Sequence, residues 1–343
     1  MDSLTHILLG AAIGEATMGK KIGKKAMFWG ALVATAPDVD VLIGAFMSDL
    51  DKMIFHRGWT HSILLILLLS PVYGWLMRLF NRGGPSWREW TFLAFLTQIT
   101  HTLLDSFTSY GTQLFLPFSD KAVSLSTISV VDPIFTLPLL ISVVWLVFGS
   151  KESSKRAWIN YIGLSLSCAY LLFTVFNKIA VESRFTAETQ RQNIEFVNHE
   201  IKPTLFNNLL WRGIFDRGDG TYSVAYYSTV DGNRTIQFHF IDGNHELIYP
   251  YKSFNSVQRL KWVSNNFFKI EEIEDGFLFS DLRFGRVAEF RENDSPYAFS
   301  YYLIFNEERS DFNVERVQLR IDREREGSSF RDLWDMIRGD TLN

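Results

Sequence analysis

The sequence predicts an α-helical polytopic membrane domain of about six helices, some short or kinked, followed by a β-rich α+β soluble domain. Three observations predict it. Long apolar runs crowd into the first half of the chain, and beyond Val181 the pattern changes to short alternating segments with turn signals. The charge balance also reverses: Met1 to Val181 holds 14 Lys+Arg against 11 Asp+Glu, whereas Glu182 to Asn343 holds 20 against 27. A chain of 343 residues has room for two domains, with expected bounds 1–180 and 181–343. The average mean hydropathy of +0.03 hides this division.

Leu4 to Ala16 is a short apolar helix with His6 near its start and Glu15 near its end. Gly10 and Gly14 continue the His6 face at four-residue steps, a small-residue stripe that admits a second helix closely. Glu15 reads as a helix-packing or lysine-pairing residue. The second run, Ala26 to Met47, is interrupted by Pro37, Asp38 and Asp40, and the proline predicts a kink or break. Ile63 to Phe80 is the cleanest spanning segment, and Trp90 to Leu104 makes a fourth helix. A polar stretch follows from Asp105 to Ser129. Val131 to Phe148 and Ala157 to Phe176 give helices five and six. A span needs about 20 apolar residues, with ~17 the lower limit. Segments three, five and six meet this; one, two and four do so only by including ionisable residues, which makes them the expected walls of an internal site.

Basic residues concentrate in loops 1–2, 3–4 and 5–6, so these are expected on the cytoplasmic side of the membrane. The N-terminus, the other loops and the soluble domain then face outward. Asp2 stands where a signal peptide would be basic, so no cleavable signal is expected. Beyond Val181, Thr221–Thr229, Thr235–Ile241, Gly276–Phe279 and Tyr297–Phe305 read as strands. Asp231-Gly232-Asn233 and Asp242-Gly243-Asn244 read as turns. Arg316 to Gly327 is highly charged, and a short surface helix is expected after it. The soluble half is mildly acidic without a basic cluster, which argues against nucleic acid as a partner. Cys168 is the only cysteine, which excludes disulfides and a cysteine-based zinc site.

The chemistry concentrates between Pro37 and His61. Asp38 and Asp40 follow a proline, and His56 and His61 flank Arg57-Gly58-Trp59-Thr60. Acids and imidazoles in apolar surroundings are costly unless paired, and a divalent ion pairs with several at once. His101 and Asp105 lie four apart on one helix face, as two ligands or as a ligand and its orienting carboxylate. Asp132, before Pro133, is either a ligand or an N-cap. His6 joins from the first helix. The expected metal set is therefore His6, Asp38, Asp40, His56, His61, His101, Asp105 and Asp132, all on the outer side. The candidate catalytic residues are Asp40 and Asp105 as bases and Arg57, free to face an anionic group. Nitrogen plus carboxylate donors suit zinc first, with manganese or iron as alternatives, and eight donors exceed the needs of one ion. One or two ions would activate water against a phosphoester, ester or amide bond. The site's depth favours an amphiphilic, lipid-like substrate. The alternative is a divalent-metal or proton transporter using the same groups. His199, His239 and His245 read as ordinary surface or core residues.

Several of these stretches carry a resemblance. Asp2-Ser3-Leu4-Thr5-His6, Ala36-Pro37-Asp38-Val39-Asp40, His56-Arg57-Gly58-Trp59-Thr60-His61-Ser62 and His101-Thr102-Leu103-Leu104-Asp105 resemble the YdjM/YbcI type of bacterial inner-membrane protein over roughly the first 180 residues. Asn207–Arg212 and Asp281–Gly285 look like its longer members. The resemblance implies a membrane-embedded metal-dependent hydrolase. The family name also carries an association with the LexA repressor, which is not transferred, because the expected site faces away from the cytoplasm. The His-x-x-x-Asp spacing is also similar to zinc phospholipase C, but those enzymes begin with a ligating tryptophan that this chain lacks.

Overall fold

The computed structural model describes residues 1–149, 155–231, 235–287, 295–318 and 323–339. The chain divides into two compact units. The first comprises Met1–Ala45, Phe55–Lys178 and Leu205–Asn208; the second comprises Phe46–Ile54, Ile179–Thr204 and Leu209–Asn343.

The first unit is helical. α1 (Ser3–Ile22) starts at an Asp2 side chain that accepts from the Thr5 amide, filling one of the donors a helix start leaves open. α2 (Lys24–Ala34) folds back on it. The approach is close because Gly10, Gly14 and Gly30 meet there: a Cβ on Gly10 would lie 2.5 Å from the Gly30 carbonyl oxygen, and one on Gly14 2.1 Å from that of Ala26. The helix then breaks. A 3₁₀ turn at Pro37–Val39 leads into the short α3 (Asp40–Gly44), bent 46° from α2. α4 (Asp49–Phe55) belongs to the second unit, where Leu50 joins a core with Val257, Leu260 and Phe279 and Asp51 pairs with Arg259 at 2.5 Å. A second 3₁₀ turn, Trp59–His61, precedes α5 (Ile63–Phe80). α6 (Trp87–Phe107) opens with a reciprocal Ser86/Glu89 cap. α7 (Pro133–Phe148) and α8 (Arg156–Arg191) as far as Lys178 complete the set; from Ile179 on, α8 belongs to the second unit. Glu15 forms a buried two-pronged pair with Arg156 (3.0 and 2.7 Å), so it is a helix-packing group.

Among the described residues, two helices, α5 and α8, are long and apolar enough to cross a membrane, and a third span arises if α2 and Pro37–Gly44 count as one bent crossing. The expected six are therefore not reached by length and apolarity. The shortfall has a physical cause. α7 is apolar but has 16 residues, while α1 and α6, with 20 and 21, carry charged and polar groups that lower their hydropathy. α8 also continues 15 residues past Phe176, because Val181 and Phe185 extend its buried stripe after the apolar run stops.

The second unit holds two four-stranded antiparallel sheets, each a simple meander. One contains β1 (Asn198–Pro203), β2 (Leu210–Asp216), β3 (Thr221–Ser228) and β4 (Phe238–Asp242). The other contains β5 (Phe268–Ile273), β6 (Gly276–Asp281), β7 (Ser300–Asn306) and β8 (Asp311–Arg316), with α9 (Asn255–Val263) between the sheets in sequence and α10 (Arg323–Arg338) after them. Four of these strands match the predicted runs, with shifted ends; β1, β2, β5 and β8 were not predicted. At Asp242-Gly243-Asn244 the chain turns through a left-handed Asn244 into a 3₁₀ segment. The predicted turn at Asp231-Gly232-Asn233, the loop from Lys151 to Ser154 and part of the charged stretch from Arg316 to Gly327 lie outside the described residues.

Candidate metal centre

The first unit brings seven of the eight predicted ligands together. Asp38, from the 3₁₀ turn after α2, His61, from the turn before α5, and His101 and Asp105, one turn apart on α6, each offer one donor atom. These four atoms all lie within 4.8 Å of one another. Four of the separations are 3.6 Å (His61 Nε2–Asp38 Oδ1), 3.5 Å (His101 Nε2–Asp38 Oδ1), 3.4 Å (His61 Nε2–Asp105 Oδ2) and 3.5 Å (His101 Nε2–Asp105 Oδ2). A tetrahedral ion with ligands at its usual ~2.0–2.1 Å places its donors about 3.3–3.4 Å apart. Four of the six separations thus match the donor spacing around a zinc-sized ion, and the other two are within 4.8 Å.

The neighbouring groups hold them in that state. His61 Nδ1 lies 3.0 Å from the Thr60 hydroxyl, which donates to Asp40 Oδ2 at 2.9 Å, so Nδ1 carries the proton and Nε2 keeps its lone pair. Among the described residues, nothing hydrogen-bonds to His61 Nε2 or to either nitrogen of His101, though all three are buried. Orphaned buried polar atoms are costly, and a cation among them removes that cost. His61 is 0% exposed and His101 and Asp105 1% each, whereas the Asp38 side chain is 23% exposed, so the cluster opens on the Asp38 side.

Asp105 divides its two oxygens. Oδ1 accepts from the Met1 nitrogen, faces His6 Nε2 at 3.2 Å and pairs with Arg57 Nη2 at 3.3 Å, which leaves Oδ2 toward the imidazoles. His6 also stacks on His101, with ring centres 3.6 Å apart. His6 therefore holds Asp105 and His101 in place from behind and stands outside the four-donor group.

Asp40 is fully used as an organiser. His56 Nδ1 donates to its Oδ1 at 3.0 Å, and the Thr60 hydroxyl and Arg57 amide donate to its Oδ2 at 2.9 and 3.2 Å. Arg57 adopts a left-handed backbone (φ 62°), a strained turn for a non-glycine residue that folds the segment between the two histidines back over Asp40. Asp38, Asp40 and His56 form a second, more open group with ligand-like spacing.

Two further expectations change besides that for His6. Asp132 does not reach either group: its Oδ1 caps α7 through the Ile134 and Phe135 amides, and its Oδ2 accepts from Tyr170 at 2.9 Å. The N-cap alternative holds because a carboxylate before proline meets free amides at once. Arg57 is not free for an anion either. It is 7% exposed, donates to Thr108 Oγ1 at 3.0 Å and pairs with Asp105. Sequence reasoning missed Thr60, Thr108 and the Met1 nitrogen. Only Thr60, inside the histidine-flanked motif, carried a signal that could have found it.

Apolar helices around a buried histidine–aspartate cluster define a membrane protein with a candidate metal centre. The sequence matches the YdjM inner membrane protein family over residues 1–180, more than half of the chain, and the chain belongs to that family. Inner membrane protein YbcI of Escherichia coli (strain K12) is 32% identical over 120 residues, 34% of this chain and 68% of YbcI. Uncharacterized protein YfhP of Bacillus subtilis (strain 168) is 34% identical over 158 residues, 44% of this chain and 48% of YfhP. The chain thus matches about half the length of YfhP. No solved structure matches the chain.

Proposed function

We propose that this inner membrane protein is a metal-dependent hydrolase acting on an amphiphilic, lipid-like substrate. The observation that supports it most is the four-donor group, whose inward-facing imidazole nitrogens have no hydrogen-bond partner among the described residues. Zinc is the first choice for two nitrogens and two carboxylate oxygens at this spacing, with manganese or iron as alternatives. A divalent ion held there supplies Lewis acidity and lowers the pKa of water. The chain's own groups supply the rest. Asp105 and His101 are fixed from behind by His6 and Arg57. His56, on the exposed edge, has its Nδ1 tied to buried Asp40, which leaves Nε2 available to carry a proton to or from a leaving group. That gives proton transfer to His56, since the oxygens of Asp40 and Asp105 are already engaged. Topology follows the same reading: α1, α6 and α7 cross with the apolar helices, their buried polar faces sheltered by neighbours. The basic loops face the cytoplasm and the second unit faces outward.

The test is metal analysis of the purified chain together with turnover on a panel of phospholipids and lipid esters. The expected outcome is a tightly held ion and metal-dependent turnover, both lost in His61→Ala and Asp38→Ala. Full activity in either variant would sink the reading. Metal flux into liposomes without turnover would instead reassign the centre to transport.

A further inference from the structure

At the far end of α5 from His61 lies a cleft of about 400 Å³, lined by Trp75, Arg78, Leu79, Arg82, Gly83 and Trp87. Trp75 and Arg78 lie 12 and 15 residues past the start of α5 at Ile63, roughly 18–23 Å along the helix at 1.5 Å per residue. Neither the Arg78 nor the Arg82 guanidinium makes a hydrogen bond or ion pair among the described residues, and both are exposed. The nearby acid on α6, Glu89, is taken by Lys21 and by its own cap at Ser86. The cleft therefore offers two uncompensated positive charges.

Its apolar side is equally specific. Leu68, Val72, Trp75 and Leu79 recur at steps of four, three and four, so they form one stripe along α5, and all four are exposed (61, 47, 54 and 44%). The stripe runs into the arginines. Trp87, from the first turn of α6, stands on the other side with its indole Nε1 donating to the Pro71 carbonyl at 3.0 Å, which fixes the ring beside the stripe. The α5–α6 crossing is held tight at Gly74, where a Cβ would lie 2.6 Å from the Thr91 amide nitrogen.

We infer that this cleft is a binding site for an anionic phospholipid: its phosphate lies between Arg78 and Arg82, and an acyl chain lies along Leu68, Val72, Trp75 and Leu79. Guanidinium groups recognise phosphate in a two-pronged way, and tryptophans sit at the headgroup level of membranes. A zwitterionic lipid offers the same phosphate, but its headgroup cation cancels the charge and is repelled by the two arginines, so it is held less well. The inference needs only the membrane placement and is independent of the metal centre.

The test uses the full chain in detergent, offered phosphatidylglycerol, phosphatidylcholine or inorganic phosphate and read by native mass spectrometry. Phosphatidylglycerol is expected to be retained in preference to phosphatidylcholine, with inorganic phosphate not retained. Replacing both arginines (Arg78→Gln with Arg82→Gln) is expected to lower its affinity roughly thirtyfold, the effect of two near-surface arginines on an anionic lipid, while phosphatidylcholine, which has no net charge, loses much less. Trp75→Ala, a second surface change that keeps both charges, is expected to weaken both lipids. Equal retention of the two lipids by the unaltered chain, undiminished phosphatidylglycerol binding after loss of both arginines, or binding of phosphate as tight as that of the lipid would overturn the inference.

Discussion

Both units of this protein bury charge, and they do so in opposite ways. In the second unit, Arg283 grips Asp281 through its Nε and Nη2 at 3.0 and 2.7 Å and donates again to the Val263 carbonyl at 2.6 Å. Arg212, paired in register with Lys202 across β1 and β2, reaches the Tyr226 hydroxyl and the Arg283 carbonyl. Lys202 leans on Glu200 at 3.4 Å and sits 3.6 Å above the Phe284 ring. These cations meet their acceptors and ring directly. In the four-donor group of the first unit the imidazole nitrogens and carboxylate oxygens stand 3.4–3.6 Å apart, and among the described residues no hydrogen bond reaches those nitrogens. A self-sufficient network closes its gaps; a network built for a cation leaves one at its centre. That difference separates a structural cluster from a candidate site better than burial, which the two share.

The comparison breaks most visibly if the second cluster responds to metal. Asp281→Ala strands Arg283 in a buried position, and breaking such a pair costs about 3–5 kcal/mol. The loss is expected to appear in thermal unfolding of the full chain equally with metal bound and after chelation. A loss that chelation abolishes would show the two clusters to be one system. A smaller effect comes from pH. Burial holds the Lys202 amine down at about 8, against 10.5 in an unfolded chain. Below pH 8 the lysine is charged in both states and the cost is constant. Between about 8 and 10.5 the unfolded chain binds more protons, so stability rises with pH, by at most about 3 kcal/mol. Lys202→Met is expected to remove that rise. An identical pH slope in the variant would show that Lys202 does not cause it.

Much of the helical unit was legible because its signals are local. The Gly10/Gly14 stripe does meet Gly30 and Ala26, Pro37 does end α2, and four-residue spacing alone puts His101 beside Asp105. What escaped was set by partners distant in sequence. Nothing near Arg57 announces Thr108, which takes its guanidinium from 51 positions away. Asp132 had two uses of equal local merit, and only the fold shows which carboxylates share a centre. Strands β1 and β2 escaped for a related reason: buried Lys202 and Arg212 interrupt the apolar alternation by which strands are found. Charges matched across the chain look, one residue at a time, like loops.

The finest distinction concerns His6, predicted as a ligand and found behind the ligands. It faces the oxygen of Asp105 turned away from the four-donor centre and stacks on His101, so it would act on a bound ion only through those two residues. Groups in that position typically tune metal affinity by 10–100-fold, or about 1.4–2.8 kcal/mol. His6→Phe keeps the ring stack but removes the nitrogen facing Asp105. It is expected to weaken metal binding within that range, measured by competition with a chelator, while the chain still binds one ion of the same kind. His61→Ala, in contrast, is expected to abolish stoichiometric binding. If His6→Phe were as severe as His61→Ala, His6 would have to reach the metal directly, and the centre would be wider than the four-donor group.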